Sequence, residues 1–331
     1  MKNKILATLV AFGLVGSVSA IEINDNLSIN GFIDTSYKQA KAYTSITGTG
    51  AKASEFGIDE VELDFVLLTG NVQGELHIDT EDGDNDTALD IEQVKLSYSL
   101  DNGLTFTIGR YGSSLGFERE DPTGLSTHTR AYELSSAFNA DTPALFSNFN
   151  LGNVDAKTVE GIAVSYQGEG FTVSGSIDES NGADLEASDL DYEISLTYTG
   201  IENLTAFIGY REESGDTAAD SDTEYLNLHA SYQMGKTLLA AEFTNIDMSV
   251  VNGGEDAFML MANHAISDKL SATLRYSESE LSSSVDATSI TLAPSYQITE
   301  NLGAILEYSD YDVSNAIADG ELLAVELTYT F

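Results

Sequence analysis

The chain has 331 residues, 54 of them acidic and 14 basic, with no cysteine. A net charge of −40 repels nucleic acid and attracts cations, so nucleic-acid binding is excluded as a function class, and disulfides are excluded as a source of stability. High charge with few aromatics would signal disorder, but 16 Tyr and 14 Phe placed in register argue for a folded chain.

The opening stretch, MKNKILATLVAFGLVGSVSA, carries Lys2 and Lys4, an apolar run from Ile5 to Val15, and the small-residue ending Val18-Ser19-Ala20. It reads as a secretory signal peptide cleaved after Ala20, because the apolar run is shorter than the roughly 20 residues that span a bilayer. Cleavage takes Lys2 and Lys4 from the 14 bases, leaving 12 against 54 acids, a net of −42. Beyond Ala20 no stretch of 18 apolar residues occurs, which excludes membrane-spanning helices. An exported chain without cysteine must rely on backbone hydrogen bonding and packing.

Period-two alternation dominates residues 21–331, read as one domain. In VELDFVL, Val61, Leu63, Phe65 and Leu67 share a face; in LDYEISLTY, Leu190, Tyr192, Ile194, Leu196 and Tyr198 do. Strands are expected at about 27–38, 56–68, 71–80, 88–100, 104–112, 158–167, 170–179, 189–199, 203–213, 223–233, 236–247, 255–266, 269–280, 287–298, 301–312 and 321–331. A β-sandwich also alternates, and the connections decide between the two. Short turns recur in SYSLDNGL, SYQGEGF, TYTGIENL, SYQMGKTL, NHAISDKL, SYQITENL and LLTGNV. Longer links rich in Asp, Ser, Gly and Asn intervene, such as TEDGDNDTA and ESNGADLEASD. Seven short turns join 14 strands, and one strand at each end makes 16. Short turns alternating with long loops are the pattern of an all-β, up-and-down antiparallel transmembrane barrel.

Lipid offers no partner to backbone N–H and C=O groups, so a sheet crosses it closed on itself, apolar outside. Tyr98, Tyr166, Tyr198, Tyr232, Tyr296 and Tyr329 fall at one height beside the short turns, where an aromatic girdle is expected. The last strand must close on LSINGFIDTSY. Pro294, inside a strand, predicts a local bulge.

Inward parity falls on Asp34, Glu60, Glu62, Asp64, Glu75, Asp79, Asp178, Asp191, Glu193, Glu242, Glu307 and Glu326, against four bases, Lys38, Lys95, Arg211 and Arg275. An acidic wall favours cations. Residues 113–157 form a connection far beyond ordinary loop length, with Phe117, Tyr132, Phe138, Phe146 and Phe149. So many aromatics favour packing against the inner wall, with an outer flap or two extra strands as the alternatives. Glu118, Arg119, Glu120, Asp121, Arg130 and Glu133 are its candidate constriction residues, the arginines facing wall carboxylates. Arg110 has outward parity and is expected to meet lipopolysaccharide phosphates.

The sixteen strands with a long third outside loop resemble the general porins of Gram-negative bacteria. More narrowly, FTIGRYGSSLGFERED and GIAVSYQGEGFTVSGSI are similar to OmpL-like β-barrel porins, through Gly109, Arg110, Tyr111, Gly116, Phe117, Glu118 and Gly161. The PEFGG stretch of enterobacterial constriction loops is absent from the sequence, so no eyelet residue is carried over. The resemblance implies an outer-membrane channel for small hydrophilic solutes and cations, a loop folded into the lumen, and a homotrimer among membrane lipids. It also implies that Leu327, Tyr329 and Phe331 form the signal read by the barrel-assembly machinery.

Other chemistries are thinly supported. His77, His128, His229 and His264 are scattered, and no zinc pattern occurs. A barrel phospholipase or protease would have to use His128 with Ser126. The acidic loop DTEDGDND lacks EF-hand spacing, which leaves room for weak calcium binding alone; no cofactor is expected.

Overall fold

The computed structural model describes residues 20–43, 50–81, 89–119, 121–132, 158–179, 190–214, 222–248, 255–282, 285–314 and 318–331. The expected leader lies outside them. A four-residue strand, β1 (Ile21–Asn24), turns into β2 (Leu27–Tyr43). There follow β3 (Gly50–Thr69), β4 (Val72–Glu81), β5 (Asp90–Ser99) and β6 (Leu104–Gly112). After the long connection come β7 (Thr158–Gly168), β8 (Phe171–Glu179), β9 (Asp191–Tyr198), β10 (Leu204–Glu213), β11 (Thr223–Met234) and β12 (Thr237–Met248). β13 (Glu255–Ala265), β14 (Leu270–Ser282), β15 (Val285–Gln297), β16 (Leu302–Val313) and β17 (Ala318–Thr330) complete the sheet.

Each strand from β2 to β17 pairs antiparallel with the next, and β17 returns to β2 with Val325 opposite Tyr37 and Leu327 opposite Thr35. The result is a closed barrel of 16 strands. β1 was not expected. It pairs with the start of β2, Ile21 opposite Ile29, and takes up the edge of β2 just past the point where Phe331 N–H donates to Gly31 O at 3.0 Å. The open edge that would template unwanted pairing is thereby covered.

Local chemistry accounts for the turns. Gly70 (φ 61°) and Gly235 (φ 60°) sit in two-residue connections that demand a left-handed residue, and glycine takes that conformation without a Cβ clash.

The bulge expected at Pro294 is not there. Leu292 stays opposite Tyr308 and Ser295 opposite Ile305, so register across β15 and β16 is unbroken and pairing lapses only at Ala293 and Pro294. The ladder tolerates one missing N–H without inserting a residue. Two bulges between neighbouring barrel strands fall at acidic residues that parity could not flag. Asp59 is the extra residue between the pairs Asp34–Glu60 and Thr35–Ile58, and Glu92 between His77–Gln93 and Ile78–Ile91.

The distribution of side chains is inverted relative to a water-soluble core. Ile108, Ile194 and Leu274 are each more than half exposed, while Glu62, Glu307, Thr291 and Arg275 are at most 1% exposed. Large apolar side chains cover the outside of the cylinder and polar ones the inside, as hydrocarbon without and water within require. Among the described residues no helix is long and apolar enough to cross a membrane.

Candidate functional site

The inner face and residues 113–119 and 121–132 form one hydrogen-bonded system. The connection leaves β6 at Gly112, and Ser113 Oγ and Ser114 N donate to Glu193 of β9 at 2.7 and 2.9 Å. Gly116, at φ 98°, then turns the chain along the wall. Its N–H donates to Asn227 of β11 (3.3 Å), and Phe117 N–H to Glu242 of β12 (2.7 Å). A side chain at position 116 would be strained there, which accounts for the glycine.

Arg275 of β14 is the hub. Its Nη1 lies within hydrogen-bonding distance of both carboxylate oxygens of Glu118 (2.9 Å), of Thr127 Oγ1 (2.8 Å) and of Thr129 O (2.6 Å), and its Nη2 donates to Thr129 Oγ1 (2.9 Å) and Arg130 O (3.2 Å). Beyond it, the N–H of His128 donates to Glu307 of β16 (2.7 Å), His128 Nδ1 lies 2.5 Å from Glu326 of β17, and Thr129 Oγ1 donates to Glu307 (2.6 Å). Burial acts to push the His128 imidazole down, but the Glu326 bond and the charges of Glu326, Glu307 and Asp59 raise it to about 9.

Apolar contacts complete the seat. Ala131 and Tyr132 pack with Phe117 against Leu238, Ala240, Met259 and Met261 of β12 and β13, and Leu115 packs on Ile246 and Tyr225. Parity reasoning on carboxylates missed this patch. The signal was present in DAFMLMA, where both faces of the strand are apolar and alternation vanishes.

The proposed wall residues fall into two groups. Arg211 of β10 gathers Asp178 (2.6 Å), Asp191 (3.0 Å), Glu193 (3.4 Å) and Glu213 (2.8 Å). Together with Glu307, Glu326, Glu242 and Arg275, these groups are engaged by one another or by the loop. The other sector, on β3 to β5, keeps a surplus of acid: Glu62 and Asp64 lie 3.0 and 3.1 Å from His77 Nδ1, and Glu75 lies 3.3 Å from His77 Nε2 and 3.0 Å from Lys95. Asp79 and Glu92 line the same stretch.

Of the candidate loop residues, Glu118 is buried on Arg275, Asp121 lies beside Glu60 and Glu62, and Arg119 and Arg130 donate to Ser113 O (3.3 Å) and Glu118 O (3.0 Å). Glu120 and Glu133 lie outside the described residues. Tyr98, Tyr166, Tyr198, Tyr232, Tyr296 and Tyr329 are all 41–48% exposed on the outer face beside the short turns, and the Tyr329 and Phe331 rings are 6.2 Å apart. Leu327 faces outward with them. Arg110 is also outside, its Nη1 donating to Ile91 O at 2.8 Å.

The model of the Gram-negative porin family matches residues 6–316, and the chain belongs to that family. No curated protein matches it in sequence. Among solved structures, an anion-selective porin from Comamonas acidovorans is 14% identical with a TM-score of 0.67, over 92% of this chain and 99% of that one. The outer-membrane channel DcaP of Acinetobacter baumannii is also 14% identical, TM-score 0.65, over 95% and 100%. A trimer form of OmpT, an outer-membrane protein of Vibrio cholerae, is 13% identical, TM-score 0.62, over 92% and 99%. The protein is thus an outer-membrane porin, and family and fold favour a channel over an enzyme.

Proposed function

We propose that the protein is a water-filled channel for passive diffusion of small hydrophilic solutes, with preference for cations. The observation that carries this reading is the excess of acid over base on the inner face of β3 to β5, where Glu62, Asp64 and Glu75, with Asp79 and Glu92 beside them, meet only His77 and Lys95 among the described contacts. Carboxylates lining a wet path concentrate cations and repel anions. The Comamonas porin is described as anion-selective, but at 14% identity the shared fold leaves wall charge free to differ.

In this reading residues 113–157 narrow the lumen, Arg119 and Arg130 stand opposite the acidic sector, and the six tyrosines sit at the membrane interface. The leader is removed after Ala20, Leu327, Tyr329 and Phe331 guide assembly, and Arg110 meets lipopolysaccharide. The molecule assembles as a homotrimer, a reading supported by the trimer form of the Vibrio relative. Reconstitution in a planar bilayer tests the function. Stepwise, ohmic current is expected; a silent membrane would make it a plugged barrel, and lipid or peptide hydrolysis abolished by His128→Ala would make it an enzyme.

A further inference from the structure

Exposure divides the bases of the barrel wall into two kinds. Arg211 and Arg275 are at most 2% exposed and closed off behind their partners, so a solute in the lumen feels little of their charge. The side chains of His77 on β4 and Lys95 on β5 keep 15% and 20% of their surface exposed. Lys38 of β2 is as open as Lys95, but it is engaged by Asp59 at 2.8 Å and Glu55 at 3.6 Å. The sequence marks Lys95 as an inward base and leaves His77 as one of four scattered histidines.

The surroundings of His77 decide its charge. Its Nδ1 lies 3.0 Å from Glu62 Oε1 and 3.1 Å from Asp64 Oδ1, and its Nε2 lies 3.3 Å from Glu75 Oε2. A carboxylate accepts hydrogen bonds and donates none, and imidazole donates from both nitrogens only as the cation. A neutral ring would turn one lone pair toward carboxylate oxygen. Register supports the arrangement. His77 stands opposite Asp64 on β3, and Glu75 stands opposite Lys95 on β5, so acid and base face each other across both ladders. The bulge at Glu92 adds a further acid, bringing one of its oxygens within 4.8 Å of a His77 ring nitrogen and of a Glu62 oxygen. Bulges re-aim side chains, and this one aims a carboxyl group at the histidine.

We propose that His77 is a cation fixed in the lumen wall and a specificity-determining residue of the channel. Its charge, with that of Lys95, offsets part of the acid of Glu62, Asp64, Glu75, Asp79 and Glu92, and so sets how strongly cations are preferred. The claim rests on the channel reading and deepens it. With His77 charged, two bases face these five carboxyl groups; with it neutral, Lys95 faces them alone.

The test is the reversal potential of the reconstituted protein in a planar bilayer under a potassium chloride gradient at pH 7. Wild type is compared with His77→Gln, His77→Lys and, as a control, His264→Gln at an exposed position near the end of β13. His77→Gln is expected to raise the potassium-to-chloride permeability ratio at least about twofold, since one more unit of acid then faces the ions unopposed. His77→Lys and His264→Gln should keep the wild-type ratio. A merely structural role for His77 would move the Gln and Lys variants together. Ring-nitrogen NMR of the refolded wild type, labelled at histidine, reads the charge without conduction. The resonances missing from His77→Gln or His77→Lys should show protons on both nitrogens. An unchanged ratio in His77→Gln, the same change in both variants, or a neutral ring overturns the proposal while current still upholds the channel. A membrane silent with wild type overturns the channel reading and this proposal together.

Discussion

Arg275 is the residue on which the wall and the loop depend most. It is fully enclosed and spends its Nη donors on Glu118, Thr127, Thr129 and Arg130. Arg275→Ala would strand the Glu118 carboxylate in a buried place, at a cost of about 3–5 kcal/mol. The expected outcome is a lower denaturant midpoint, with much of the loss recovered in the double variant Arg275→Met, Glu118→Leu, because removing both charges leaves neither unpaired. His128 gives a pH signature. Its folded pKa is raised to about 9 from an ordinary value near 6.5, so the His128–Glu326 bond contributes fully below about pH 6.5 and is lost as pH rises through about 9. Thermal midpoints measured at pH 6 and pH 10 should differ more in the wild type than in His128→Gln. Arg275 and Glu307 were legible in the sequence as inward positions, but their partners were not. Parity gives a direction, whereas the partner comes from a loop that has no periodicity.

At the scale of elements, alternation carried the strands. Leu274 and Arg275 differ by one position and meet opposite media, which is why one charged substitution can test a whole strand. Leu274→Arg, near the middle of β14 and facing out, should destabilise the barrel by about 2–4 kcal/mol, read as a loss of folded protein in lipid vesicles. What alternation could not show were the bulges at Asp59 and Glu92, since a bulge is a local break in the very rule used to find strands, and Asp59 and Glu92 look like ordinary polar residues of a polar face. β13 escaped for the opposite reason. Met259 and Met261 are apolar on the inner side because Tyr132 and Phe117 pack over them. Met259→Ala should leave a cavity costing about 2–5 kcal/mol and loosen the loop, seen as faster proteolysis between residues 113 and 132.

For the molecule as a whole, the excess of 54 acids over 14 bases acquires a location. Much of the inner acid is spent holding the loop or Arg211, and the remainder gathers on β3 to β5. Selectivity should therefore follow that sector more than the net charge. The reversal potential of the reconstituted protein across a potassium chloride gradient tests this most directly. A potential displaced toward that of potassium, and reduced by Glu75→Gln, is the predicted result; a potential displaced toward that of chloride would contradict it.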